Sequence, residues 1–269
     1  MTEGNTPPDT VKELRRIVRY GPDGFQEEED TVALEYALTI MVDGEEFATM
    51  VCSPTHLEEL VVGFLASEGV ILLPDEIVSI DFDEERGFAR VQLKHKQKIA
   101  KEALSKRFIG SCCGKSRQFY FQNDMRTAKT VTSKTKLRAE QCITLMRLMQ
   151  EASCDFQQTG GVHNAALCST ESLLVARTDI GRHNALDKIY GHCLQHRVPV
   201  RDKIVVFSGR ISSEVLLKVA KIGAGIVLSK SAPTTLALDL AHDLGITAVG
   251  FIRNGSFNVY THPERIVLQ

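Results

Sequence analysis

The sequence predicts an α/β protein in two parts, a small α+β N-terminal domain followed by a layered α/β domain. Two patterns predict it. The first third of the chain holds extended segments, a hairpin signal and a single helix, and strands and helices alternate after residue 139. A third observation sets the class: the 269 residues are 43% hydrophobic and 25% charged, the balance of an ordinary globular chain.

Taken in order, residues 1–30 read as a frayed, partly extended N-terminal arm, and residues 31–108 as the small α+β domain. Within it, residues 32–51 alternate as a hairpin does, with Asp43-Gly44 at the turn. Ser53-Pro54 supplies an N-cap and a first-turn proline for a helix whose apolar face is Leu57, Leu60, Val61, Phe64 and Leu65, and Gly69 ends it. Short strands follow near residues 77–82 and 88–93. Residues 109–138 form a basic loop with two adjacent cysteines, and residues 139–269 the layered domain. There the expected order is helix 139–152, strand 173–176, helix 183–195, strand 203–207, helix 213–222, strand 226–228, helix 235–244, strand 246–251 and strand 257–260. Strands separated by helices of this length imply a largely parallel sheet.

Composition excludes several classes. The longest apolar run, residues 60–66, is too short to span a bilayer, and MTEGNTPPDT lacks the apolar core of a secretory signal, so the expected compartment is the cytoplasm. Seven irregularly spaced cysteines do not form a disulfide framework. The net charge of -2 conceals a segregation: residues 1–93 carry 6 basic and 21 acidic side chains, residues 94–138 carry 13 and 2, and the remainder 13 and 11. The basic stretch reads equally as an anion-facing segment or as a solvated linker. An overall pI of about 6.5 argues against nucleic acid as the partner.

Ligands of open α/β sheets bind beyond the carboxyl ends of the strands. Here the strands exit into Ser208-Gly209-Arg210, Ser229-Lys230-Ser231 and Arg253-Asn254-Gly255-Ser256, the first two followed by helix starts. Each segment alone reads as turn and cap chemistry. Together, three cations and two helix N-termini favour an anionic, nucleotide-containing ligand. Gly114-Lys115-Ser116 is not a P-loop, because Ile109 stands where its first glycine belongs, and Gly223-Ala224-Gly225 lacks the third small residue at Leu228. His56-Leu57-Glu58 resembles half of a nucleobase-deaminase signature, but no Pro-Cys-x-x-Cys follows, and no Cys-x-x-Cys exists, so no structural metal is expected.

Cys112 and Cys113 are neighbours, with Cα atoms about 3.8 Å apart, too close for an unstrained disulfide. Gly110 and Gly114 flank them, implying a mobile loop, and Lys106, Arg107, Lys115 and Arg117 surround them. Cations favour the thiolate, which attacks sulfur, holds a persulfide or binds metal. The bland alternative is a pair of small buried hydrophobes, which is the expectation for Cys52, Cys142, Cys154, Cys168 and Cys193. His163-Asn164 and Arg182-His183-Asn184 sit in a short echo, GVHNA and GRHNA, beside glycines that allow a ligand to approach. They read as groups that bind a heterocycle or protonate a leaving group, with capping by Asn184 or Arg182 and surface charge at Asp187-Lys188 as the structural alternative.

These segments together resemble the formate dehydrogenase accessory sulfurtransferase family, FdhD. The matching stretches are SCCGKS (111–116), TGGVHNAAL (159–167), DIGRHNALDKIYG (179–191), FSGRISSE (207–214), SKSAPTT (229–235) and GFIRNGSFNVYTHPERI (250–266). The resemblance implies a cytidine-deaminase-like second domain lacking the zinc site, and a homodimer. It implies that a loop cysteine receives sulfur from a cysteine desulfurase as a persulfide. The sulfur then passes to bound molybdenum bis(molybdopterin guanine dinucleotide), which formate dehydrogenase receives. The family's loop often carries Cys-x-x-Cys; here the two cysteines are adjacent, and Cys113, followed by Gly-Lys, aligns with the second. The family's cofactor-binding stretch maps onto Phe251, Ile252, Arg253, Asn254, Gly255 and Ser256. A cofactor chaperone without sulfur transfer is the main alternative, and a deaminase-like hydrolase the third.

Overall fold

The computed structural model describes residues 11–95, 108–109, 128, 130–153 and 159–268, with backbone alone for Phe108 and Ile109. Its layers run in the order five-stranded sheet, helix, helix, six-stranded sheet, helix.

The first sheet has the order β5-β6-β3-β4-β7, with β3 Tyr36–Val42, β4 Glu45–Cys52, β5 Ile77–Asp83, β6 Phe88–Leu93 and β7 Phe108–Ile109. The expected hairpin is β3–β4, and Asp43 (φ 50°) with Gly44 (φ 88°) forms its turn, both residues in the left-handed region that matches strand twist. Helix α1, Leu57–Ser67, is buried at every position except Glu58 and lies between this sheet and the rest of the molecule. Its cap corrects the expectation. Ser53 is not the N-cap; that position belongs to His56 (φ 53°), which makes no side-chain capping bond. Ser53 is buried and committed elsewhere: its N–H donates to Asp179 (3.0 Å) and its hydroxyl accepts from the Ile180 N–H (3.1 Å).

The expected frayed arm is also corrected. Lys12–Gly21 (β1) and Gly24–Ala33 (β2) form a regular antiparallel ribbon, paired from Lys12↔Ala33 to Gly21↔Gly24.

The second sheet has the order β10-β9-β11-β12-β13-β14, with β9 His163–Cys168, β10 Leu173–Asp179, β11 Ile204–Phe207, β12 Ile226–Ser229, β13 Thr247–Arg253 and β14 Ser256–Val259. It is mixed rather than largely parallel: only β11–β12 and β12–β13 pair in parallel, because β9, absent from the sequence-based list, joins β10 through a tight turn at residues 169–172 and pairs antiparallel to both neighbours. Both faces are covered. Val205, Phe207 and Val227 pack under α3 (Arg182–Gln195), α4 (Ser213–Ile222) and α5 (Thr235–Leu244). Ile204, Val206, Ile226 and Leu228 pack under α2 (Ala139–Glu151). Burial on both faces explains why β11 and β12 read as continuous apolar runs. A short parallel pair, β8 Leu137–Arg138 with β15 Ile266–Val267, closes the C-terminus against α2. Among the described residues no helix is long and apolar enough to cross a membrane.

The two sheets are joined through α1 and α3, which cross at two glycines. A Cβ on Gly63 would stand 2.7 Å from the Gly191 nitrogen, and one on Gly191 would stand 2.6 Å from the Glu59 carbonyl carbon. Backbone therefore meets backbone, a spacing only glycine permits.

Candidate functional site

The register brings the predicted segments to one edge of the second sheet. His163 opens β9 opposite Asp179, the last residue of β10. Phe207 ends β11 beside Ser229, the last residue of β12, and β13 continues past both into the turn that starts β14. The exits at residues 208–210, 229–231 and 251–256, with His163 and the start of α3, thus share an edge.

The serines there build the edge. Ser208 N–H donates to the Asn164 carbonyl (3.0 Å), and its hydroxyl accepts from Asn164 N–H (2.9 Å). Ser229 hydroxyl donates to the Gly209 carbonyl (2.7 Å) and accepts from Ser231 N–H (2.9 Å), and Ser231 hydroxyl donates to the Ser208 carbonyl (3.1 Å). Buried backbone groups that leave a sheet need partners, and these hydroxyls supply them. Gly209 is held tightly: a Cβ would lie 2.9 Å from the Phe207 ring. The cations stand outside this frame, with Arg210, Lys230 and Arg253 all exposed. Arg253 lies over the Phe251 ring at 5.3 Å. Phe251 (φ 56°), Asn254 (φ 51°) and Gly255 (φ 73°) occupy the left-handed region, so this turn is held in a costly conformation, while Ile252 turns inward to the core under α2. Ser256 hydroxyl closes the turn on the Arg253 carbonyl (3.1 Å).

His163 is half-buried with Nδ1 3.4 Å from the Ser208 hydroxyl. Burial, then Arg182 and His183, hold its pKa below the usual histidine value against an opposing pull from Asp179. His183 stands 3.1 Å from Glu214; burial lowers its pKa more than that carboxylate raises it. The Nε of Arg182 is buried with no partner among the described residues. Asn164 and Asn184 face inward. Asn164 Oδ1 accepts from Ser153 (2.7 Å) and Thr178 (2.8 Å), and Asn184 Nδ2 donates to the Val51 carbonyl and to Asp179, both at 2.9 Å.

The segment 179–188 does what neither reading of it anticipated: it joins the two sheets. Lys188 is fully buried, paired with buried Asp179 at 2.7 Å, and donates to the carbonyls of Ser53 (3.2 Å) and Thr178 (3.1 Å). Asp187, expected as surface charge, is 2% exposed, pairs with Lys218 at 2.5 Å and accepts from the Ser67 hydroxyl at 2.6 Å. Glu59 of α1 binds Arg177 of β10 through both oxygens (2.5 and 2.6 Å) and His192 through one (2.9 Å). Burial raises the Glu59 pKa, but these bonds outweigh it and the net direction is down. Glu59, His192 and His196 bring three possible metal ligands within 4.8 Å, but both carboxylate oxygens are already held by Arg177.

Cys112 and Cys113 lie outside the described residues, as do Cys154 and the cations around the pair. Cys52, Cys142, Cys168 and Cys193 are buried, as expected; burial pushes Cys52 up and the other three up to about 12, which keeps them protonated. The cysteine segment has a defined anchor. Ile109 ends β7, which runs parallel to β4 with Ile109 beside Met50.

Fold and edge define an α/β protein that gathers exposed cations where its strands end, coupled by buried ion pairs to a second sheet from which a cysteine-bearing segment departs. The chain belongs to the FdhD/NarQ family, whose model matches residues 33–267. It is 60% identical over 254 residues to the sulfur carrier protein FdhD of Geobacillus kaustophilus, covering 94% of this chain and 97% of that one. It is 59% identical over 258 residues to the sulfur carrier protein FdhD of Bacillus subtilis, covering 96% and 98%. The crystal structure of a formate dehydrogenase accessory protein from Desulfotalea psychrophila superposes with a TM-score of 0.77 at 28% identity, covering 96% of this chain and all of that one.

Proposed function

We propose that the chain is a sulfur carrier serving formate dehydrogenase. In this reading the thiolate of Cys113 or Cys112 attacks the outer sulfur of a cysteine desulfurase persulfide; a new S–S bond forms on the carrier, and the desulfurase leaves as a thiolate. The carrier's S–S bond then breaks, its cysteine leaving as a thiolate, as the outer sulfur passes to molybdenum bis(molybdopterin guanine dinucleotide) in a reduced state that supplies the two electrons; the phosphates of this substrate would lie against Arg210, Lys230 and Arg253 at the strand-end edge. Formate dehydrogenase is the acceptor of the product, and the reducing cytoplasm is the compartment in which a free thiol persists. The deaminase-like framework without zinc belongs to the same reading.

The observation that carries it is the anchor of the cysteine segment. Ile109 pairs beside Met50, and the residues that follow Met50 reach Ser53, which bonds Asp179 and Ile180 at the basic edge. Cys112 is three residues from Ile109, a reach of at most about 11 Å of extended chain. The four described cysteines are buried and held protonated, which leaves Cys112, Cys113 and Cys154, and of these only the adjacent pair lies among Lys106, Arg107, Lys115 and Arg117 in the sequence. The names of the relatives support the same conclusion.

The test is intact-mass spectrometry after incubation with a cysteine desulfurase and cysteine. A gain of one sulfur atom that disappears in Cys113→Ser or Cys112→Ser identifies the carrier residue. No gain in the wild type, beside a desulfurase shown to be active, leaves a chaperone that delivers the cofactor without carrying sulfur.

A further inference from the structure

The C-terminal end of α3 carries chemistry that the strand-end edge does not use. His192 lies ten residues beyond Arg182, about 15 Å along the helix from that edge. His196 follows four residues later, which sets both rings on one face, with centroids 4.3 Å apart. Two histidines at this spacing on one helix face can share a metal ion.

The proton on His192 decides whether it can be a ligand. Its Nδ1 lies 2.9 Å from Glu59 Oε1 and 3.2 Å from Arg177 Nη2. Arg177 offers only donors, and the ionised Glu59 only acceptors. A lone pair on Nδ1 would oppose the carboxylate oxygen at the shorter of the two distances, so Nδ1 carries the proton and donates to Glu59. In the neutral ring the lone pair is then on Nε2. Carboxylates orient metal-binding histidines in this way. Glu59 itself is no ligand, because Arg177 holds its two oxygens at 2.5 and 2.6 Å. The ring of exposed His196 makes no hydrogen bond or ion pair among the described residues. The surrounding cations are matched, Arg177 by Glu59 and Arg197 by Asp75. Glu58, which accepts from the Gln195 amide (2.8 Å), has no cation of its own among the described residues, so the local charge favours a cation. The other close histidine pair lacks these features. His242 and His262 stack at 5.5 Å, but His262 Nε2 donates to the His242 carbonyl (3.0 Å) and its Nδ1 lies beside Glu264 (3.4 Å).

We propose that His192 and His196 hold one divalent transition-metal ion of the zinc, nickel or copper class, with Glu59 as the positioning residue that fixes the His192 tautomer. Imidazole nitrogens suit these ions. His192 is 20% exposed and His196 lies at the surface, so water completes the coordination and the ion exchanges with solvent. The inference does not depend on the sulfur-carrier reading.

The test is calorimetric titration with Zn²⁺ alone at neutral pH. It uses the full chain carrying Cys112→Ser and Cys113→Ser, because thiolates bind zinc themselves. One ion per chain is expected, with affinity weakened about tenfold or more by His192→Gln and by His196→Gln, and unchanged by His242→Gln. His196 is exposed, so its substitution leaves the fold intact, which urea unfolding checks. Imidazole ¹⁵N spectra read the tautomer directly: His192 is expected as Nδ1–H, with its Nε2 resonance moving on addition of zinc. Glu59→Gln removes the charge that selects this tautomer and should raise the Nε2–H fraction. No zinc uptake at submillimolar concentration overturns the proposal, as does an affinity indifferent to either His192→Gln or His196→Gln, or equally weakened by His242→Gln. A wild-type His192 found as Nε2–H, or a tautomer unchanged in Glu59→Gln, overturns the role given to Glu59.

Discussion

Replacing Gly191 by Ala sets two effects of opposite sign against each other. Helix propensity alone favours alanine inside a helix by about 1 kcal/mol. The crossing of α1 and α3 opposes it. The new Cβ would overlap the Glu59 carbonyl oxygen and lie 2.6 Å from its carbon, whereas carbon atoms pack at roughly 3.5–4.0 Å, so the helices must separate by at least about 1 Å. A separation of that size takes the Glu59–Arg177 bonds of 2.5 and 2.6 Å to the limit of hydrogen bonding. Overpacking costs about 1–3 kcal/mol, and a loosened buried pair adds to it, for a net loss of about 2–4 kcal/mol after the propensity gain. The assay is equilibrium urea unfolding followed by far-UV circular dichroism. A variant as stable as the wild type, or more stable, would refute the claim that backbone contact at Gly63 and Gly191 sets the distance between the two sheets.

Three further outcomes follow from the same geometry. Lys188→Met leaves Asp179 buried without its cation and should cost about 3–5 kcal/mol in urea unfolding, while the double change with Asp179→Asn should recover part of that loss. His163 and His183 have pKa values below the histidine value of 6.5, so below that pH the unfolded chain binds more protons than the folded one. Stability should therefore be fully present above pH 6.5 and fall as pH drops through the folded values, and His163→Gln should flatten the decline measured between pH 7.5 and 5. Arg210→Ala, Lys230→Ala and Arg253→Ala should each weaken binding of guanosine diphosphate by about tenfold in calorimetry and reduce its salt dependence, with little change in stability because all three are exposed.

The sequence was legible where local chemistry decides structure. The β3–β4 turn, α2, α4 and α5 lie where periodicity and capping place them, and the polar strand exits do share an edge. It misled where a distant group decides. Ser53 is a good helix cap by type, but Asp179 and Ile180, more than a hundred residues away, take both its groups. Strand β9 hid because its Ala165-Ala166 core has weak β propensity, and only burial between β10 and β11 makes it a strand. Missing β9 also concealed that the sheet is mixed. The ribbon escaped notice for the converse reason: with no core to face, its strands carry charge on both faces and resemble a solvated arm.

The segment 179–191 explains how a stretch can be readable as important yet misread in kind. Its density of Asp, Arg, His, Asn and Lys resembles ligand chemistry, because ligand sites and buried polar junctions demand the same residue types. Burial separates the two. A charged group with 0% exposure, as at Asp179 and Lys188, must find its partners within the protein: the two pair with each other, and both also bond Ser53, which follows β4 of the other sheet. The strand end that carries Arg182 and His183 is thus fixed to β4 through Ser53, and β4 is the strand beside which the cysteine segment leaves. The polar residues of this segment divide accordingly. Those bonded to Ser53 and Ser67 tie the thiol anchor to the basic edge, while half-buried Arg182, His183 and His163 stand at the edge itself, His183 already paired with Glu214.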